Sequence, residues 1–335
     1  MSANTLMENE FRKYLQERRM SAEDIDFAMS AIREFEEHLK KKNTSLGFAR
    51  LEALKDYISM LIAEGKNSWE RLVAIARYCN LAKKNDYYIY FTSILGARNV
   101  LPDIGERLAA TTGEETRRKV FQGFMLPPLG SPQENYPRLT KKIMDKMETY
   151  LPSGTCKKIL TWNYHKVPVE AFKEKKERFE KVTSIDEYLK DEHKRLIEEL
   201  ERSMKDGRLW YEQEITPEVL EFVRSNQEIC TGVRCGDRIY VTKMPYMPKQ
   251  YLKEKDPTLK RYYACHCPLV RSAIREGVEI SPMFCYCSGG YEKVHFDVIF
   301  GEPVEVELLE TALKGDMRCR FANKIPSVCK QSFRR

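Results

Sequence analysis

Residues 263–274 read YACHCPLVRSAI, and residues 283–321 read MFCYCSGGYEKVHFDVIFGEPVEVELLETALKGDMRCRF. The second stretch decides the fold class, because its hydrophobic period changes partway along. From Gly289 to Phe300 the apolar residues keep helical spacing, with Tyr291, Val294 and Ile299 as candidate inward positions. Val304 to Leu309 and Met317 to Ile325 then read as two strands, and Gly315-Asp316 between them tolerates positive φ, as a hairpin turn requires. A helix leading into an antiparallel hairpin, behind an all-helical N-terminal part, predicts an α+β protein.

Upstream of this stretch, Arg238 to Lys243 (RIYVTK) is β-branched and aromatic, as a strand would be, and Lys260 to Ala264 is its expected partner. Tyr246 to Pro257 between them is read as a mobile basic loop. Thr216-Pro217 is an N-cap followed by proline in the first turn, opening a short helix, and Leu209 to Ile215 alternates like a strand. Ser184 caps a long amphipathic helix ending before Gly207, Lys173 to Lys181 is a charge run, and Leu139 to Leu151 is a further helix. Gly123 to Tyr136, with Pro127, Pro128, Gly130 and Pro132, reads as a linker. The expected organisation is therefore a helical bundle over 1–122, a linker over 123–136 and an α/β domain over 137–335.

The N-terminal part is helical throughout. Ser21 to Asp24 forms a capping-box pattern, followed by Ile25, Ala28, Ile32, Phe35 and Leu39 at three- and four-residue steps. A second helix carries Phe48, Leu51, Leu54, Ile58 and Leu61. Ser68 caps a third with Trp69, Leu72, Ile75 and Ala76, and Tyr87 to Leu95 is a denser apolar run. The pattern of residues 10–39 resembles the SAM-like core-binding domain at the N-terminus of tyrosine recombinases. The recombinase catalytic set has no counterpart downstream, so that resemblance implies a packing or DNA-contact module and no DNA cleavage.

With 57 basic against 50 acidic side chains the net charge is +7, which permits contact with nucleic acid without arguing for it. Arg12, Lys13, Arg18, Arg19 and Lys40 to Lys42 are the residues that would meet phosphates, but Glu8, Glu10, Glu17 and Glu36 lie among them. No apolar run is long enough to span a membrane, and the N-terminus carries no signal-peptide pattern. The expectation is a cytoplasmic protein, where the ten cysteines are free thiols or metal ligands in preference to disulfides.

Five cysteines concentrate the chemistry: the pairs Cys265/Cys267 and Cys285/Cys287, and Cys319. Thiolates two residues apart on a strand face one side, and two such pairs supply enough sulfur for a tetrahedral zinc, with His266 able to replace one thiol. The alternative is that these cysteines are small buried hydrophobes. The sequence Cys285-Tyr-Cys-Ser-Gly-Gly-Tyr291, then Phe300 to Val304, then Lys314 to Phe321, resembles the C-terminal part of the 4-vinyl reductase domain and, more distantly, L-2-amino-thiazoline-4-carboxylic acid hydrolase-like proteins. That resemblance implies an α/β domain in which helices cover an antiparallel sheet and enclose a pocket for a small apolar molecule, beside a structural zinc held by cysteines and a glutamate. It places Cys285 and Cys319 at two of the cysteine positions and Glu307 or Glu310 near the glutamate, and puts Thr311 where the remaining cysteine would be.

The leading functional expectation is a sensor-like protein that binds a small molecule through Tyr262, Phe284, Tyr286, Tyr291 and Phe296 next to a zinc site. The alternative is a hydrolase using Cys285 as nucleophile with His266 or His295, or a metal-activated water with Glu302 or Glu307 as base. A third is DNA binding through the N-terminal helices, less favoured as a partner class than a small molecule. No nucleotide cofactor is expected, and a homodimer is an open expectation.

Overall fold

The computed structural model describes residues 3–327, so Cys329 lies outside the described residues. The protein is α+β, with a small antiparallel sheet confined to its C-terminal part. It divides into two compact units, one formed by residues 1–98 with 126–135, the other by 99–125 with 136–335.

The first unit is helical: α1 (Ala3–Glu17), α2 (Ala22–Lys41), α3 (Leu51–Ala63), α4 (Trp69–Leu81) and α5 (Asn85–Leu95). The α2 stripe read from the sequence, Ile25, Ala28, Ile32, Phe35 and Leu39, is the face that is buried. The Ser21 side chain accepts the Asp24 N–H at 3.1 Å, satisfying one of the backbone donors that a helix start leaves open. Ser21→Ala is expected to cost about 1 kcal/mol in urea unfolding of this unit, with Ser21→Asp retaining most of it. Phe48 does not join the core as its spacing predicts. It precedes α3 in a turn and is 89% exposed.

The proline-rich segment is not a free linker. Leu129 packs against the core of the first unit, and Asn67 donates to its carbonyl at 2.7 Å. Gly130 follows with φ +88°, and a side chain there would press on Ile58 and Leu72. The boundary lies earlier than the prolines suggest, because α6 (Val100–Thr112) and α7 (Glu114–Phe121) belong to the second unit. Proline and glycine marked a turn here, but the apolar Leu129 decided where the segment is held.

The second unit continues with α8 (Pro137–Tyr150), α9 (Ser153–Leu160), α10 (Lys173–Phe179), α11 (Ile185–Asp206) and α12 (Pro217–Arg224). Beyond them come β1 (Val233–Cys235), β2 (Arg238–Thr242), α13 (Pro248–Lys253), α14 (Pro257–Ala264), α15 (Arg271–Glu276), α16 (Tyr286–Phe300), β3 (Val306–Glu310) and β4 (Arg320–Lys324). The sheet order is β1-β2-β4-β3, with every pair antiparallel. Directly opposed residues share a face of a sheet. Val241 opposes Phe321 and Ile239 opposes Asn323, so these form one buried face. Ile239 and Val241 pack with Phe296 and Ile299 of α16 and Tyr188 and Leu189 of α11, each such side chain contributing about 1.5–3 kcal/mol of burial. The other face is polar: Arg320 grips Glu228 through two bonds of 2.5 and 3.0 Å and lies over the Tyr240 ring.

Three local expectations are corrected. Lys260 to Ala264 is the end of α14 and no strand: Asp256 caps the helix by accepting the Leu259 N–H at 2.8 Å, and Pro257 occupies the first turn. β2 pairs with β1 and β4 instead. The basic loop over 246–257 contains α13, and Leu209 to Ile215 forms a tight turn in which Trp210 and Gln213 exchange backbone hydrogen bonds of 2.9 Å. The β3–β4 hairpin is present, but residues 311–319 connect it, so Gly315 sits within a longer loop.

Candidate metal centre

The backbone brings the five cysteines of the C-terminal stretch to one place. Cys265 ends α14, its N–H bonded to the Arg261 carbonyl at 3.1 Å, and the chain then runs through His266 and Cys267 toward α15. The Cys267 carbonyl accepts the Arg271 N–H at 2.8 Å, which fixes the turn into α15. Cys285 ends a 3-10 turn (Pro282–Cys285) that runs directly into α16, and Cys287 lies in the first turn of that helix. Cys319 precedes β4, and its carbonyl accepts the Lys243 N–H at 2.9 Å, tying it to the end of β2.

All five of these cysteines line one small cavity of about 30 Å³, together with Lys243, His266, Ser288 and the apolar side chains of Val270, Phe284 and Phe321. A space of that size holds one water or one ion and no organic molecule. The nine described cysteines are free thiols. Burial pushes Cys265, Cys267, Cys287 and Cys319 up to about 12, and Cys285 well above its ordinary range, with neighbouring sulfurs adding to the shift for Cys265, Cys267, Cys285 and Cys319. His266 is driven down to about 3 by burial and by Lys243, so its imidazole is neutral, and Nε2 lies 2.6 Å from the Met244 carbonyl. A carbonyl oxygen only accepts, so Nε2 carries the proton and donates it to Met244, and Nδ1 keeps the lone pair.

Lys243 is the cation of the cavity wall. Its Nζ lies 2.9 Å from Glu292 and 3.2 Å from Ser288 Oγ, and 5.1 Å from the centre of the Tyr291 ring. Burial opposes its charge, but Glu292 overrides this and raises its pKa. Ser288 and Glu292 are four residues apart on α16, so one helix face presents both to Lys243. Sequence reasoning passed over Lys243, Ser288 and Glu292. The signal was there in the helical period of α16 once Cys285 had been placed at its start.

The other candidate residues are placed as follows. Phe284 lines the cavity. Phe296 is fully buried in the core between α16 and the sheet, and Tyr291 is 39% exposed. Tyr262 is stacked by Arg271 and Arg275, and Tyr286 by Lys157. The five aromatics thus line no common pocket. Glu307 pairs with Arg238 and Glu310 with Arg318, and Glu302 is exposed, so none of the three lines the cavity. Thr311 is buried and hydrogen-bonds Cys285. His295 packs on Phe296 and Phe172, with ring centres 3.8 and 6.1 Å away, and is absent from the cavity wall. In the first unit, Arg12 pairs with Asp26 at 3.1 Å, Lys13 with Glu17 at 3.9 Å and Lys42 with Asp56, and Arg18 stacks on Tyr14. Three of the seven cations offered to DNA, Arg12, Lys13 and Lys42, thus have a carboxylate partner.

Does this arrangement suit a metal ion? Among the described residues, no three His, Cys, Asp or Glu side chains stand around one point closely enough to hold an ion as they are placed. The donor chemistry does suit one: five sulfurs and an imidazole lone pair around a one-ion space, next to an ammonium group. Binding would require the thiols to lose their protons and turn inward.

A family model described as a family of unknown function, DUF6144, matches residues 219–328, about a third of the chain. The matched part runs from α12 through β4 and contains the whole cavity wall. No curated protein and no solved structure matches the chain. No helix among the described residues is long and apolar enough to cross a membrane.

Proposed function

We propose that the second unit binds a soft divalent ion, zinc in the first place, through thiolates drawn from Cys265, Cys267, Cys285, Cys287 and Cys319, with His266 as a further donor. The observation that supports this is the convergence of cysteines from three separate chain segments on one ion-sized cavity. The ion would cross-link the end of α14, the start of α16 and the segment that leads into β4. Thiolate ligands call for a reducing compartment, in keeping with a cytoplasmic protein.

Within this reading the protein is sensor-like: ion occupancy sets the conformation of the segments that carry the thiols. Binding of a small organic molecule has less support, since the cavity is too small and the five aromatics are dispersed. A cysteine hydrolase also has less support. Cys285 and His266 share the cavity wall, but a thiol held protonated and a neutral imidazole do not make the ion pair that activates such a nucleophile.

Elemental analysis of protein purified without chelators tests the proposal. About one equivalent of zinc per chain is expected, falling to background in Cys285→Ser and unchanged in Cys235→Ser, whose exposed thiol is elsewhere. Metal-free wild-type protein that takes up no zinc on titration refutes it.

A further inference from the structure

A cluster of thiolates around a divalent ion carries net negative charge: four thiolates and Zn²⁺ sum to −2. Placing that charge in a buried space is costly unless a cation is fixed beside it. The cavity has such a cation in its wall. Lys243 reaches it from the end of β2, on a side chain that keeps only 12% of its surface exposed. Two of its three N–H bonds are directed to Glu292 Oε1 and Ser288 Oγ, and among the described residues no protein oxygen takes the third. The Lys243 backbone is also fixed against the site, because its N–H bonds the Cys319 carbonyl. Neither the sheet nor the helix needs an ion pair at this point. β2 ends in Thr242, and α16 buries Val294, Phe296 and Ile299 without it.

Glu292 has the complementary place. Its carboxylate is 11% exposed and lies against Lys243, one helical turn or so beyond Cys287. It holds the ammonium charged while the thiols are protonated, when the cavity offers no negative charge of its own. Once an anionic centre forms, Lys243 would be shared between the carboxylate and the sulfurs, and the carboxylate becomes a like charge beside them.

We propose that Lys243 is the built-in counter-charge of the thiolate centre and that Glu292 opposes it, so that this pair sets how tightly the ion is held. The inference rests on the metal-binding reading above. Its signature is a difference in sign. Removing Lys243 weakens ion binding, whereas neutralising Glu292 strengthens it, even though either change breaks the same ion pair.

The experiment is zinc titration of the full chain against a competing chelator at one fixed pH, with wild type, Lys243→Met, Lys243→Arg and Glu292→Gln. With a unit positive charge removed from the cavity wall, the zinc dissociation constant is expected to rise roughly tenfold or more in Lys243→Met. It should stay within a few-fold of wild type in Lys243→Arg and fall several-fold in Glu292→Gln. If Lys243→Met and Glu292→Gln both weaken binding, the pair is a structural brace and the proposal is overturned; unchanged constants in both overturn it equally. Should Lys243→Met fail to fold, the sign of the Glu292→Gln effect still decides. Wild-type protein that binds no zinc overturns the metal-binding reading itself, and this inference with it; a tight wild-type site indifferent to both variants overturns this inference alone.

Discussion

Replacing Gly290 with alanine is expected to destabilise the second unit by more than about 3 kcal/mol. Gly290 lies in the first half of α16, where the turn after α9 crosses the helix backbone to backbone. A Cβ there would stand 2.3 Å from the Trp162 nitrogen and 2.4 Å from its carbonyl oxygen. Those are main-chain atoms, and they cannot swing away as a side chain would. The turn is also held from within, since the Trp162 N–H bonds the Leu160 carbonyl at 2.9 Å and the Tyr164 N–H bonds the Trp162 carbonyl at 3.0 Å. Relief therefore requires α16 to move, and Cys285 and Cys287 move with it. Gly289 provides the control. Its Cβ would meet only the Leu308 and Val306 side chains at 3.4 Å, and alanine gains up to about 1 kcal/mol over glycine inside a helix. Gly289→Ala should stay within about 1 kcal/mol of wild type in urea unfolding, while Gly290→Ala falls far below it. Equal behaviour of the two variants would contradict the close crossing.

The same glycine pair shows what the sequence could and could not convey. The helix was legible from its apolar spacing, and the hairpin that follows from its alternation, because those periods are local properties of the chain. The close crossing at Gly290 depends on the turn that carries Trp162, far away in sequence, and no period encodes it. Lys260 to Ala264 failed for another reason. Tyr262 and Tyr263 have strand propensity, but the Asp256-Pro257 cap is a stronger local instruction and started a helix. For the site, the cysteines announced themselves by type and clustering. Their partners did not, since Lys243 closes an ordinary strand and Glu292 sits in a helix with many polar neighbours. The aromatics misled because a ring that packs in a core and a ring that lines a pocket look alike in sequence; Phe296 is the first kind and Phe284 borders the cavity.

His295 separates a core role from a catalytic one through its response to acid. Burial, with Lys175 nearby, drives its pKa down to about 3, while an unfolded chain holds a histidine near 6.5. Between those values the unfolded chain binds the proton and the folded one does not. Stability is therefore complete above pH 6.5 and is lost as the pH falls through that window, by about 1.4 kcal/mol for each pH unit. At pH 4 the penalty reaches about 3 kcal/mol, an upper bound because the ring keeps some contact with water. Phenylalanine offers the same ring position between Phe172 and Phe296 with nothing to protonate. His295→Phe should match wild type at pH 7 to within about 1 kcal/mol and unfold at a clearly lower pH in an acid titration followed by circular dichroism. A histidine serving as a proton carrier behaves in the opposite way: its loss abolishes turnover and leaves the acid midpoint where it was. Coincident acid transitions for the two proteins would remove His295 from the core and return it to the catalytic candidates.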